Sequence, residues 1–214
     1  MFILYTNDYV VQSPSVINLG TFADDTLLWS KPYNKNKQKT ELLQRELNSF
    51  AHWSTMWKLV INADKCDYLR IIGQFTKRFG EPPKLSIAGT QLKQVDHLRY
   101  LGLWLDDKLN FNHHIEKTKM TCIGRLSSLY RLAINYDLRS NTLVSIYKAQ
   151  TRPIWEYALP IYWNARAQDE LQKIQNRFIR LAYPTAKHAQ VEILHVIANI
   201  PPVRFHSWQP GTNC

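Results

Sequence analysis

Apolar positions recur along this chain in two rhythms, short alternating runs first and helical stripes later. Residues 16–22, Val16-Ile17-Asn18-Leu19-Gly20-Thr21-Phe22, read as a strand, and residues 26–29 as its partner. Between them Ala23-Asp24-Asp25, a small residue followed by turn formers, predicts a β-hairpin with two carboxylates at its tip. Residues 30–40 read as a lysine-bearing loop. Thr40 suits the cap of a helix whose Leu43, Leu47, Phe50 and Trp57 recur near helical spacing. Glu41 and Glu46 lie towards its start, where the helix dipole favours negative charge. Residues 59–72 predict two short strands around Asn62-Ala63-Asp64-Lys65. Leu85-Ser86-Ile87 and Thr90-Gln91-Leu92 flank Ala88-Gly89, a hairpin signal. Residues 98–105 predict one further strand, and residues 1–5 the end of a helix.

Beyond residue 107 the period becomes helical. Ile115, Cys122, Leu126, Leu129 and Ala133 form one stripe, with Lys117, Lys119, Arg125 and Arg131 mostly off it. Leu143, Ile146 and Tyr147 begin a second helix that Pro153 kinks or ends. Leu171, Ile174, Phe178 and Leu181 form a third stripe beside Lys173, Arg177 and Arg180. Trp155, Tyr157, Tyr162 and Trp163 read as core between helices, and His113-His114 as capping and surface at a helix start. The expected class is α+β: a mixed unit over 1–107, a helical unit over 108–200, and a frayed tail over 201–214.

Composition narrows the function classes. With 214 residues, 45% hydrophobic and 12% aromatic, the chain can build a core, which excludes disorder throughout. No apolar run approaches a bilayer span, and residues 1–5 meet Asn7-Asp8 too soon for a signal-peptide core. Cys66, Cys122 and Cys214 form neither a disulfide framework nor a zinc pattern. An intracellular protein, nuclear or cytoplasmic and without a membrane partner, is the expectation. The net charge of +10 is uneven: residues 1–107 carry 13 Lys+Arg against 11 Asp+Glu, and residues 108–214 carry 14 against 6. The second half is a basic platform suited to a polyanion.

Adjacent carboxylates at a turn repel by about 1 kcal/mol in water at roughly 4 Å, and by about 4 kcal/mol at an effective dielectric of 20. Mg²⁺ relieves such repulsion, taking one or two carboxylates plus phosphate oxygens and water. A merely soluble Asp-Asp turn is the alternative. Phe22-Ala23-Asp24-Asp25, between Ile17-Asn18-Leu19-Gly20 and Thr26-Leu27-Leu28-Trp29, resembles the catalytic hairpin of reverse transcriptases, in the form found in jockey-type non-LTR retrotransposons. The run from Trp57 through Asn62-Ala63-Asp64-Lys65-Cys66 is similar to the family's next palm motif. Tyr100-Leu101-Gly102 resembles its primer-grip strand. Ile146-Tyr147-Lys148, Pro153-Ile154-Trp155-Glu156-Tyr157-Ala158 and Gln172-Lys173-Ile174-Gln175-Asn176-Arg177 resemble the helical region that follows.

The resemblance implies a partial polymerase palm, antiparallel strands with helices, followed by an all-α thumb-like region. It implies RNA-directed DNA synthesis by two Mg²⁺ ions that stabilise the attacking and leaving oxygens. Asp24 would be a direct ligand and Asp25 a weaker one, with Phe22 packed beneath the turn. Lys65 would neutralise the departing pyrophosphate; a solvated lysine at a strand end fits its spacing equally. Tyr100, Leu101 and Gly102 would form the primer grip, Gly102 admitting the primer backbone or, alternatively, marking a strand bulge. Lys117, Lys119, Arg125, Arg131, Arg177 and Arg180 would hold an RNA template and DNA primer, an RNA–DNA hybrid, through its phosphates.

The family's palm also needs an aspartate on an upstream strand, and Asp8 does not match it. The resemblance therefore implies an N-terminally truncated enzyme, inactive by itself. A non-catalytic RNA- or DNA-binding module and a decayed element remnant are the other expectations.

Overall fold

The computed structural model describes residues 8–30, 36–72, 81–184 and 188–208. The expected helix end at residues 1–5, and Cys214, lie outside them. The chain divides into two units, Met1–Leu109 and Asn110–Cys214.

In the first unit β1 (Ile17–Phe22) and β2 (Asp25–Ser30) pair antiparallel, Phe22 opposite Asp25 and Ile17 opposite Ser30. Helix α1 spans Asn36–Met56, so it begins four residues before Thr40 and overrides the expected cap. Leu43, Leu47, Phe50 and Ala51 of this helix face one core. Leu47, Leu85, Ile87 and Leu92 form that core, with Leu28 of β2, Ala63, Cys66 and Tyr68 packed against it. Gln44 ties α1 to the chain beyond: its Nε2 donates to the Ser86 carbonyl at 2.8 Å and its Oε1 accepts from the Ser86 N–H at 2.9 Å.

Of the two strands expected over 59–72, one is present among the described residues, β3 (Asp67–Leu69), preceded by a 3₁₀ turn at Ala63–Lys65. Strands β4 (Ser86–Ile87) and β5 (Thr90–Gln91) form the expected hairpin, with Ala88 and Gly89 at φ 48° and 80°. Strand β6 (Lys93–Val95) runs parallel to β3.

The single strand expected over 98–105 is instead a hairpin, β7 (His97–Tyr100) and β8 (Leu103–Asp106). Leu101 and Gly102 both take positive φ, 46° and 82°, which is the twist that two-residue hairpin loops require. Among the described residues the strands make four two-stranded pairs, three antiparallel and one parallel, a mixed α+β arrangement.

Glu46, expected towards the start of its helix, stands midway along α1. It is buried at 1% exposure, accepting from the Tyr9 hydroxyl at 2.5 Å and the Gln12 N–H at 3.1 Å. Tyr9 in turn packs edge-on against Phe50 and Trp53. Burial and the Glu46 carboxylate push the Tyr9 hydroxyl pKa up.

The second unit is helical: α2 (Asn112–Tyr136), α3 (Ser140–Gln150), α4 (Arg152–Glu156), α5 (Leu159–Tyr162), α6 (Ala165–Ala182) and α7 (Val191–Ala198). Pro153 stands in the first turn of α4, where its missing N–H costs nothing, so it separates α3 from α4. Asn164 caps α6, its Oδ1 accepting from the Ala167 N–H at 2.8 Å. Trp155 and Tyr162 are core as expected, and Tyr162 donates to the Trp155 carbonyl. Tyr157 is 55% exposed.

His114 is not on the surface. It lies edge-on to Tyr162 at 4.6 Å, and burial lowers its pKa. The tail is not frayed through its whole length either, because a 3₁₀ turn spans Val203–Trp208 and Val203 is fully buried. No helix among the described residues is long and apolar enough to cross a membrane.

Candidate functional site

Two places carry the chemistry that the sequence singles out, one in each unit. In the first, the β1–β2 register leaves Ala23 and Asp24 as a two-residue loop. Ala23 sits at φ 51°, in the left-handed region that favours glycine. Asp24 and Asp25 are exposed side by side at this tip. Phe22, expected beneath the turn, is 64% exposed instead, because a two-stranded ribbon offers it no second layer.

Gly20 couples this hairpin to the next feature. A Cβ built there would stand 3.3 Å from the Tyr100 hydroxyl and 3.3 Å from Trp29 Cζ3. The strand is thus bare where Tyr100 leans onto it, and Tyr100 leads directly into the Leu101-Gly102 turn. That turn is a tight loop rather than a bulge. Lys65 is exposed at the end of its 3₁₀ turn, between Ala63 and Cys66, which pack on the same core as Leu28 of β2. Burial pushes the Cys66 thiol up, as it does the Cys122 thiol, to about 12, so both read as packing residues.

In the second unit α2 and α6 leave a groove between them. One end, about 540 Å³, is lined by Lys119 and Ile123 from α2 and by Glu170, Lys173, Arg177 and Arg180 from α6. The other, about 560 Å³, is lined by Ile123, Tyr130 and Arg131 from α2 and by Arg177, Phe178 and Leu181 from α6. Spacings of three and four residues place these side chains on one face of each helix. Lys117 and Arg125 fall outside both linings. The cations are partly engaged within the protein. Glu170 binds Lys119 at 2.9 Å and Lys173 at 2.8 Å, and Arg180 donates to the Ala189 carbonyl at 3.4 Å.

The sequence resembles those of several named proteins. The "RNA-directed DNA polymerase from mobile element jockey" of Drosophila melanogaster is 33% identical over 160 residues, covering 73% of this chain and 17% of that protein. Its Drosophila funebris counterpart is 31% identical over 158 residues, with the same coverage. The "Probable RNA-directed DNA polymerase from transposon BS" of Drosophila melanogaster is 29% identical over 210 residues, 92% of this chain and 22% of that protein.

This chain is homologous to jockey-type reverse transcriptases. It spans about one fifth of the length of these relatives. No protein-family model and no solved structure matches it.

On this jockey-type chain the structure brings Lys119, Arg131, Arg177 and Arg180 to one groove and sets the acidic hairpin beside Tyr100. Glu170, Lys173 and Gly20 belong to these places and were not legible as such. Glu170 resembles any solvated helix carboxylate, and Gly20 a routine strand interruption. The groove makes Glu170 distinctive: hydrogen bonds from Lys173 and Lys119 hold its carboxyl down to about 2, and the Glu170 bond raises Lys119.

Because the folded value lies below the ordinary 4.5, the stabilising effect is present above that value and lost as pH falls through about 2. Solvent screening keeps it small, since Lys173 is 68% exposed. A carbon-detected carboxyl titration should place Glu170 near 2, and Lys119→Met with Lys173→Met should return it towards 4.5. An unchanged midpoint in that double variant would refute the pairing.

Proposed function

We propose that this chain is a nucleic-acid-handling part of an RNA-directed DNA polymerase, the first unit belonging to a polymerase palm and the second to its thumb. The observation that carries the reading is the homology over 73% to 92% of the chain. The hairpin supports it, because its tight loop presents two hard-oxygen ligands side by side. Mg²⁺ takes one or two carboxylates and completes its shell with phosphate oxygens and water, so the donor set fits that ion. Among the described residues no group of three or more His, Cys, Asp or Glu gathers to hold a metal.

Asp24 and Asp25 would hold magnesium at the hairpin tip. When bound, the metal supplies charge stabilisation at the attacking and leaving oxygens of nucleotidyl transfer. Lys65 would neutralise the leaving pyrophosphate. Tyr100, Leu101 and Gly102 would meet the primer backbone. The basic groove would take phosphates of the template and primer, and these nucleic acids place its action inside the cell. With two carboxylates as the acidic set, this chain alone is expected not to extend a primer in Mg²⁺. A non-catalytic nucleic-acid-binding role is the second reading, favoured by that same acidic count.

Binding decides the groove. Affinity of the purified chain for labelled RNA should fall linearly on log–log axes as salt rises, because lysines and arginines displace counterions at phosphates. Arg177→Glu should weaken binding and make the slope shallower by about 1. Asp24→Asn should leave binding intact. An affinity that stays constant from low to moderate salt would sink the proposal.

A further inference from the structure

The two ends of the α2–α6 groove differ in chemistry. At the first, Glu170 holds both Lys119 and Lys173, and Arg180 donates to the Ala189 carbonyl. Arg177 lines both ends and Arg131 the second, and among the described residues neither has an ion-pair partner. The second end thus keeps two arginines with no carboxylate in its lining. Apart from Ser127 that end is otherwise apolar, floored by the half-buried Ile123 and Leu181, with Tyr130 55% exposed at its side.

From this juxtaposition we infer that the second end binds an unpaired nucleotide of a single-stranded nucleic acid, its base stacked on Tyr130 and its flanking phosphates on Arg131 and Arg177. The inference rests on the nucleic-acid reading above and narrows its substrate. A double helix offers phosphates on its outside while its base faces stay sealed in the stack. It would satisfy the two arginines and leave Tyr130 and the apolar floor without a ligand. A single strand satisfies both, since every base has a face that stacks on an aromatic ring beside a cationic track.

Fluorescence anisotropy on the full chain tests this with oligouridine, an RNA–DNA hybrid of equal length and polyglutamate. Oligouridine should bind roughly ten-fold tighter than the hybrid. Tyr130→Ala should weaken it by about five- to a hundredfold, the worth of one stacked base. The hybrid should be indifferent to Tyr130→Ala, and Tyr130→Trp should restore oligouridine binding. A hybrid that binds as well as the single strand, or loses as much with Tyr130→Ala, overturns the inference and leaves the polymerase reading standing. Polyglutamate binding as tightly as oligouridine overturns it too, by making the groove a site for acidic protein. Failure of both nucleic acids to bind overturns the nucleic-acid reading as well.

Discussion

Replacing Phe178 with alanine is expected to cost the helical unit about 3–5 kcal/mol in urea unfolding. Phe178 is fully buried on α6, its ring 4.0 Å from that of Tyr147 and inclined by only 9°. Tyr147 is itself fully buried on α3, so the stack fastens two helices through a contact that water never reaches. Burial pushes the Tyr147 hydroxyl pKa up, and its nearest polar side chains are Trp155 and Gln175. Removing the ring deletes the transfer gain of the phenyl group and leaves a void against Tyr147. Against a typical domain stability of about 5–15 kcal/mol, that is roughly a fifth of the total or more. Tyr130→Ala on the exposed face of α2 should change stability by about 0.5 kcal/mol or less, which makes it the matched control. A Phe178→Ala cost below about 1 kcal/mol would mean that the α3–α6 stack is not a true core contact.

Phe178 was legible because it belongs to a strong helical stripe: Leu171, Ile174 and Phe178 are all buried, as their spacing requires. The β1–β2 hairpin was legible for a similar reason, since Asp-Asp between two alternating runs leaves few other backbone paths. The β7–β8 hairpin was not. A leucine at positive φ is disfavoured, so nothing before Gly102 announces the turn, and only the tertiary seat of Tyr100 over Gly20 accounts for it. Helix α7 went unread because Ile193, Val196 and Ile197 are exposed while His195 is buried, which inverts the pattern that periodicity looks for.

The groove was half legible. Charge patterning names cations but not the side of the helix that faces a neighbour, which is why Lys117 and Arg125 fell outside it. Which carboxylate would neutralise which lysine depended on the α2–α6 packing, and no single-helix pattern contains that.

His195 gives the second large effect. The Ile200 carbonyl lies 2.8 Å from its Nδ1 and can only accept, so Nδ1 donates there, while Nε2 lies 3.0 Å from the Gln172 amide nitrogen and 3.1 Å from Asn176 Oδ1. The Gln172 amide also donates to Asn176 Oδ1 at 2.8 Å, while its Oε1 accepts from the Val203 N–H at 2.8 Å. One glutamine on α6 thus satisfies groups on α7 and on the chain beyond it, and Val203 and His195 are both buried. Gln172→Ala leaves the buried Val203 N–H without its partner and takes one of two polar neighbours from His195 Nε2, so a loss of about 1–3 kcal/mol is expected. Hydrogen exchange separates this from general destabilisation. The Val203 amide should lose protection by more than amides in the middle of α2, because its segment is held by this bond while α2 is held by core packing. Equal loss at both places would show that Gln172 supports the bundle as a whole. A Val203 amide that keeps its protection would show that burial alone holds the segment in place.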